Sequence, residues 1–397
     1  MKTKLILGTL MMVAPVLLLL ARPAPAHPGG ENVTQQFKVL APISHGNLTI
    51  FPIVVAKSHD TSDFLTLDEG IRSGEVVVTE VGNLHGMVRR SPQTYHPGPQ
   101  VNTLVLVNNS KRPLILLAGE IVTGGKQDRI VGKDRIIAPE SDPVDLSVFC
   151  VEHGRWSGGS DKFGTLGFLM AVPSVRKQAM AEKNQQKVWT AVQNQNSNTT
   201  YNMAKSAPGI AASSANGGSA GLAANETVEV NGAAVPVTPE GARVIGRLNS
   251  TTSLAMVQSD ATVQKELKSI SDPVEKSFES VIKQLRDQNA VGVVVAVKGR
   301  IIWADIFASK ELLSKYWPKL LQSYAAEAFS ATGTAGDADI KAAQEFVDNW
   351  KTTHEVVDSE PGLYRQTEMT GDRFRAFELT SLLPKQIFDL HLSKMAE

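Results

Sequence analysis

The apolar positions of this chain fall into two textures. From Phe37 to Glu152, short runs rich in Val, Ile and Leu are broken by turn residues. FKVLAPI and NLTIFPIVVAK, separated by turn formers around Ser44–Asn47, predict a hairpin. TLDEGIRSG predicts a short helix that stops at Gly74, and EVVVTEV predicts a strand. VNTLVLVNN and RPLILLAGE predict two strands joined around Asn109–Ser110, and KQDRIV, RIIAP and DLSVFCVE carry the β character on to Glu152. Short strands separated by turn signals predict a mostly antiparallel sheet or a barrel-like layer.

After Gly158–Gly159 the texture turns helical. In VRKQAMAEKNQQKVWTAVQNQ the apolar positions are Val175, Ala179, Val188 and Val192. Residues 206–225, nearly all Ala, Ser and Gly, cannot bury enough side chain to offset their ordering entropy, and predict a flexible insertion. Ser271–Glu275 reads as a helix start, with Asp272 as N-cap and Pro273 in the first turn. Phe278, Val281, Ile282 and Leu285 follow at helical spacing. VGVVVAV, Lys298–Gly299 and RIIWADIF predict a second hairpin. Ser309 starts another helix, which Pro318 should kink or restart. From Tyr364 to Met395, strand-like pieces and one helical piece are weakly specified. These elements predict an α+β fold: a β-rich N-terminal half packed with helices and a hairpin from the C-terminal half. One domain is expected over residues 37–345, with 346–397 as a C-terminal extension.

The N-terminus changes the picture of where the chain works. Lys2 and Lys4 precede an uncharged run from Leu5 to Leu20, and Ala24-Pro25-Ala26 supplies small residues at a cleavage site. That order predicts a signal peptide over residues 1–26 and an exported protein, periplasmic or extracellular. The run is shorter than the roughly 20 residues a membrane span needs, so no integral membrane segment is expected after cleavage. Without Lys2, Lys4 and Arg22, 37 basic residues face 40 acidic ones, a balance with no electrostatic footprint for nucleic acid. The lone cysteine, Cys150, excludes an intramolecular disulfide.

Candidate chemistry concentrates in LILLAGEIVTGGKQDR (Leu114–Arg129) and DLSVFCVEHGRW (Asp145–Trp156). Alternate strand residues share a face, so each segment runs an apolar face into a carboxylate, Glu120 or Glu152. Buried carboxylates need partners. Gln127 and Arg129 would share one face, Arg155 follows Glu152, and Trp156 offers a flat surface. Gly124–Gly125 would let backbone approach a ligand. Two readings follow: a polar pocket with Glu120 and Glu152 as acid/base candidates and Arg129 or Arg155 as anion anchor, or a structural ion-pair network. Cys150 is either a nucleophile or a buried inert thiol, and His153 should point away from its face. Glu120, Glu152 and His153 are the residues a metal site would use, but HExxH and CxxC spacings are missing, so none is expected, and the absence of Walker A and GxGxxG motifs leaves the cofactor unspecified. Asp305 is a third candidate, either functional or an ion-pair residue serving Arg300 or the next helix.

LLAGEIVTGGKQDR and VFCVEHGRW resemble the hallmarks of the family called the ARG and rhodanese-phosphatase-superfamily-associated protein domain. TLDEGIRSGEVVVTE, QQKVWTAV, VGVVVAVKGRIIWADIF and KYWPKLLQSYAAEAF support the resemblance, which spans roughly Val39 to Phe329. It implies association with ADP-ribosylglycohydrolase- and phosphatase-like systems and carries over Glu120, Gln127, Arg129, Cys150, Glu152, Arg155 and Trp156 as site positions. The resulting expectation is a hydrolase-like enzyme acting on a phosphorylated or ADP-ribose-type small molecule, with a non-catalytic ligand- or protein-binding module as the alternative.

Overall fold

The computed structural model describes residues 36–80, 103–154, 160, 162–206, 226–230, 232–334, 336 and 338–397. The expected signal peptide, nearly all of the Ala/Ser/Gly insertion, and both Arg155 and Trp156 lie outside the described residues.

The chain opens with β1 (Lys38–Val39), β2 (Ile43–His45) and β3 (Leu48–Val55). β4 (Leu65–Thr66) leads into α1 (Leu67–Ser73), then β5 (Val76–Glu80), β6 (Thr103–Asn108), β7 (Leu114–Leu116), β8 (Ile121–Gly124), β9 (Arg129–Val131), β10 (Arg135–Ile137), β11 (Val144–Cys150) and β12 (Lys162–Gly164). A short α2 (Pro173–Lys177) continues as a π-helical turn over Gln178–Glu182, and α3 (Gln185–Ser206) follows. The hairpin of β13 (Glu226–Val230) and β14 (Ala233–Val237) precedes α4 (Pro239–Asn249), α5 (Leu254–Ser259) and α6 (Ala261–Gln284). β15 (Asn289–Val297), β16 (Arg300–Phe307), α7 (Lys310–Ser330), α8 (Ile340–Asp348), β17 (Thr352–Glu360), β18 (Tyr364–Gly371), β19 (Phe374–Leu383) and β20 (Gln386–Ala396) complete the fold.

Local chemistry explains several boundaries. Thr66 and Glu69 form a capping box on α1, and Gly74 ends it in the left-handed region at φ 74°. Lys298 and Gly299, at φ 50° and 70°, make the tight turn between β15 and β16. The expected start at Asp272 is corrected: α6 begins after Asp260, whose carboxylate caps Thr262 and Val263, and Pro273 lies inside the helix. Pro318 likewise sits within an uninterrupted α7. Burial of α7 on most of its circumference outweighs the lost backbone bond.

Three layers result, and the fold is α+β. A nine-stranded antiparallel sheet runs β1-β3-β15-β16-β20-β19-β18-β17, with β2 also on β3. Six strands close a barrel in the order β11-β6-β5-β12-β8-β9, and β10-β7-β4 form a small third sheet. β6 and β7, adjacent in sequence, therefore pair with different partners. α7 packs between the large sheet and the barrel side. Its Leu313, Tyr316, Leu320 and Tyr324 join Val293, Trp303 and Phe307 in the main core. The segment 346–397, expected to extend beyond the domain, instead supplies β17–β20 to the large sheet. β17 to β20 pair consecutively, and among the described residues β20 alone joins them to the rest of the sheet by pairing with the distant β16.

The barrel has its own apolar interior. Val76, Val78, Leu104, Leu106, Val122, Val131, Leu146, Val148 and Phe163 point inward. Ile121, Ile130, Phe149 and Val151 point outward, against Val188 and Val192 of α3. Alternation of this kind is what a closed small barrel requires. Among the described residues no helix is long and apolar enough to cross a membrane.

Candidate functional site

The two carboxylates singled out in the sequence occupy different places. Val131 N–H donates to Glu120 O, and Val131 pairs with Val148, so Glu120 lies level with Val148. Glu152 stands four residues further along, about 13 Å at roughly 3.3 Å per residue, and on the next strand but one.

Glu120 belongs to a buried ionic layer between barrel and sheet. It is 1% exposed, follows β7 in a turn, and accepts a 2.8 Å hydrogen bond from Leu117 N–H through Oε2. Lys319 of α7 donates to its Oε1 and, at 2.7 Å, to Asp68 of α1. Burial pushes the Glu120 carboxyl up and Asp68 reinforces this, against the pull of Lys319. Burial would lower the Lys319 ammonium, but Glu120 and Asp68 hold it above its usual value.

Beside it lies a second cluster. Arg176 of α2 grips Asp305 with two bonds of 2.8 and 3.0 Å, and its guanidinium stacks over Trp303 at 4.5 Å. Tyr324, Ser393 and His391 also donate to Asp305. His391 bridges onward to Asp134 at 2.7 Å, and Asp134 accepts from Ala118 N–H at 2.7 Å. Burial alone would raise the Asp305 carboxyl, but Arg176 and His391 hold it well below the carboxylate range. Burial opposes the His391 charge, yet Asp134 and Asp305 lift its pKa to about 9. Two cations thus face two carboxylates in a site closed to solvent. Asp305 serves Arg176, Tyr324 and His391, rather than Arg300. The Ala118-Gly119-Glu120 turn is wedged between the two clusters. A Cβ on Gly119, at φ 99°, would meet Arg176 Nε at 2.7 Å, so only glycine fits.

The other sequence-predicted residues meet at one mouth of the barrel. β5, β8 and β11 end there, and β6, β9 and β12 begin there. Above the apolar interior, Glu80, Arg129 and Cys150 occupy the next inward positions of β5, β9 and β11. Arg129 is 2% exposed and Glu80 5%. The strand predicted over KQDRIV begins only at Arg129, and Gln127 and Asp128 form a turn that folds onto Glu152. Asp128 N–H donates to Glu152 Oε2 at 3.2 Å, and Gln127 Nε2 donates to Glu152 O at 3.0 Å. Gln127 is wholly buried, and its Oε1 has no hydrogen-bond partner among the described residues. The close approach at Gly124–Gly125 is made by the chain itself: a Cβ on Gly125 would strike the Phe163 ring at 2.3 Å.

Cys150 Sγ donates to Glu152 O at 2.9 Å. Burial pushes its thiol up, and the Glu152 main chain and the Arg129 charge only partly oppose this. Four further neighbours were not assigned to this site by the sequence reading. Gln185 clamps both main-chain groups of Cys150 at 2.8 Å. Ser253, the N-cap of α5, donates to Asp128 Oδ2 at 2.8 Å. Glu80 accepts from Lys126 N–H at 3.2 Å. The Trp189 ring meets His153 edge-on at 4.6 Å. QQKVW marked two of them, but their targets lie more than thirty residues away. Among the described residues, no three His, Cys, Asp or Glu side chains converge as a metal site requires.

A closed barrel with a buried carboxylate, arginine and amide at one mouth, welded to a large sheet through a buried ionic layer, defines an α+β protein with one barrel-mouth polar site. The sequence model of the ARG and Rhodanese-Phosphatase-superfamily-associated Protein domain matches residues 36–393, and the chain belongs to this family. No curated protein and no solved structure matches it.

Proposed function

We propose that the barrel mouth binds an anionic small molecule of the phosphorylated or ADP-ribose type and hydrolyses it. The observation that carries this is Gln127, whose buried Oε1 is an acceptor with no donor among the described residues. Leaving such a group unmet costs on the order of 1–3 kcal/mol, and a ligand hydroxyl or amide would relieve that cost. Arg129 supplies a cation whose planar fork suits phosphate oxygens. Glu152 is the candidate base that takes the proton of an attacking water, with Arg129 stabilising the charge that develops. The buried, protonated Cys150 supports a role in packing. Glu120, held by Lys319, supports a role in joining barrel to sheet. The family name, which couples this domain to phosphatase-superfamily proteins, agrees with the reaction class. Export of the chain, read from residues 1–26, belongs to the same proposal.

The raised Cys150 thiol and the internal bonds of Glu152 favour a second reading, a binding module without turnover. Glu152→Gln separates the two. With ADP-ribose, phosphosugars and nucleotides as probes, the hydrolytic reading expects Glu152→Gln to keep thermal stabilisation by the ligand and lose product formation. Wild-type stabilisation without product would establish the binding module. No stabilisation by any probe, or stabilisation that survives Arg129→Ala, would reject the site.

A further inference from the structure

A groove of about 440 Å³ opens on the far side of α3, between this helix, the end of α7 and the β15–β16 turn. None of the barrel-mouth residues lines it. Its wall on α3 carries Asn194 and Asn198, one helical turn apart, and Gln178 adds a third amide. None of these three side-chain amides makes a hydrogen bond among the described residues. The floor is Glu327 of α7. Its Oε2 accepts from Ser174 N–H and Oγ at 3.0 and 2.9 Å, while its Oε1 has no partner among the described residues. Burial pushes this carboxyl up. Arg300 stands at the rim, exposed and without an ion-pair partner among the described residues.

We propose that this groove binds a short extended peptide through its main chain, with a carboxylate at Arg300. Asparagine and glutamine amides carry a donor and an acceptor side by side, the complement of a peptide group. Residues four apart on a helix are separated by about 6.0 Å along the axis, and alternate residues of an extended chain by roughly 6.6 Å. Asn194 and Asn198 would therefore meet successive peptide groups that face the same way. Val297, Ile302 and Ala191 give apolar side chains a surface. Among the described residues no aromatic ring lines the groove, so a sugar would find no face there to stack on. The volume lies at the lower end for small-ligand sites, about 300–1,000 Å³, and suits a segment of a few residues.

The test is equilibrium dialysis of the full chain against random-sequence pentapeptides, read by mass spectrometry. One pool has free C-termini and the other has amidated ends. The proposal expects retention of the free-acid pool, enriched in acidic ends, and about tenfold weaker retention of the amidated pool, since a charge-assisted bond to Arg300 is lost. Asn194→Ala with Asn198→Ala should bring both pools to background. The change favours helix, so an unchanged circular dichroism spectrum confirms the fold. Arg300→Ala should erase the difference between pools, and Glu152→Gln should leave retention intact. No retention, equal retention by the double variant, or retention of maltose oligosaccharides instead of peptides would overturn the proposal.

Discussion

Gly119→Ala is a one-carbon perturbation placed where the barrel meets the sheet. The new methyl must sit at φ 99°, and it meets Arg176 Nε, Cδ and Cγ at 2.7–2.8 Å. The backbone cost of a side chain there is about 1–3 kcal/mol. Arg176 cannot swing away freely, because its guanidinium is held by Asp305 on two sides and by the Trp303 face. If Arg176 yields, Asp305 loses its main cation, and breaking a buried pair costs about 3–5 kcal/mol. Together these come to roughly 4–8 kcal/mol where the pair breaks fully, and to less where Arg176 only shifts. A double-mutant cycle isolates the collision. Arg176→Ala alone should destabilise strongly, and adding Gly119→Ala should then cost only the backbone share. The two changes together should fall short of their sum by about 2 kcal/mol, well beyond the ~0.5 kcal/mol scatter of independent sites. Urea unfolding followed by tryptophan fluorescence measures all four stabilities. Additive effects, or a Gly119→Ala cost below about 1 kcal/mol, would refute the wedge.

The buried histidine predicts a pH dependence. His391 has a folded pKa of about 9 against an ordinary 6.5, so its charge stabilises fully below pH 6.5, and this is lost as pH rises through 9. The contribution is on the order of 3 kcal/mol, and His391→Gln should remove it, so that between pH 6.5 and 9 the urea midpoint of the variant rises relative to that of the wild type; identical slopes for the two proteins would remove His391 as a source of pH dependence. Lys319→Met leaves Glu120 and Asp68 buried without their cation. It should cost about 3–5 kcal/mol, and adding Glu120→Gln should recover part of the loss in thermal unfolding. Lys394 of β20 packs 4.1 Å from the Trp350 and Phe374 ring centroids and donates to Phe346 O at 2.6 Å. Burial pulls its pKa down to about 7, so the Lys394 contribution to stability should rise as pH climbs through 7 to 10, opposing the His391 contribution between pH 7 and 9. Lys394→Met should remove that rise, as hydrogen exchange in α8 would report.

How much of this was readable beforehand depended on sequence distance. The α1 capping box and the Lys298–Gly299 turn were legible because their partners lie within a few residues. Glu152 drew notice because it ends an apolar strand face, Gln127 and Arg129 because polar partners two residues apart share a face, and Cys150 because it is the lone thiol, and the barrel brings these four together. Glu120 ends such a run too, but its partner Lys319 lies on α7, a helix whose even hydrophobicity hides a single buried cation. Asp305 carried a visible strand-face signal, yet its partners Arg176, Tyr324, His391 and Ser393 come from three other elements. No periodicity links them. The route of β20 into the large sheet was equally hidden, since alternation in a strand names a face and never a neighbour.

That route has a consequence for the order in which the molecule is made. β20 lies between β16 and β19, and it carries His391 and Ser393 to Asp305. The sheet therefore stays split until the ribosome has produced the segment that ends at Ala396. β3 waits similarly for β15. Until then Arg176 can pair with Asp305, but Asp134 lacks its His391 partner, and long-range pairing of this kind is slow. A nascent chain of this design stays open to chaperones until β20 has emerged.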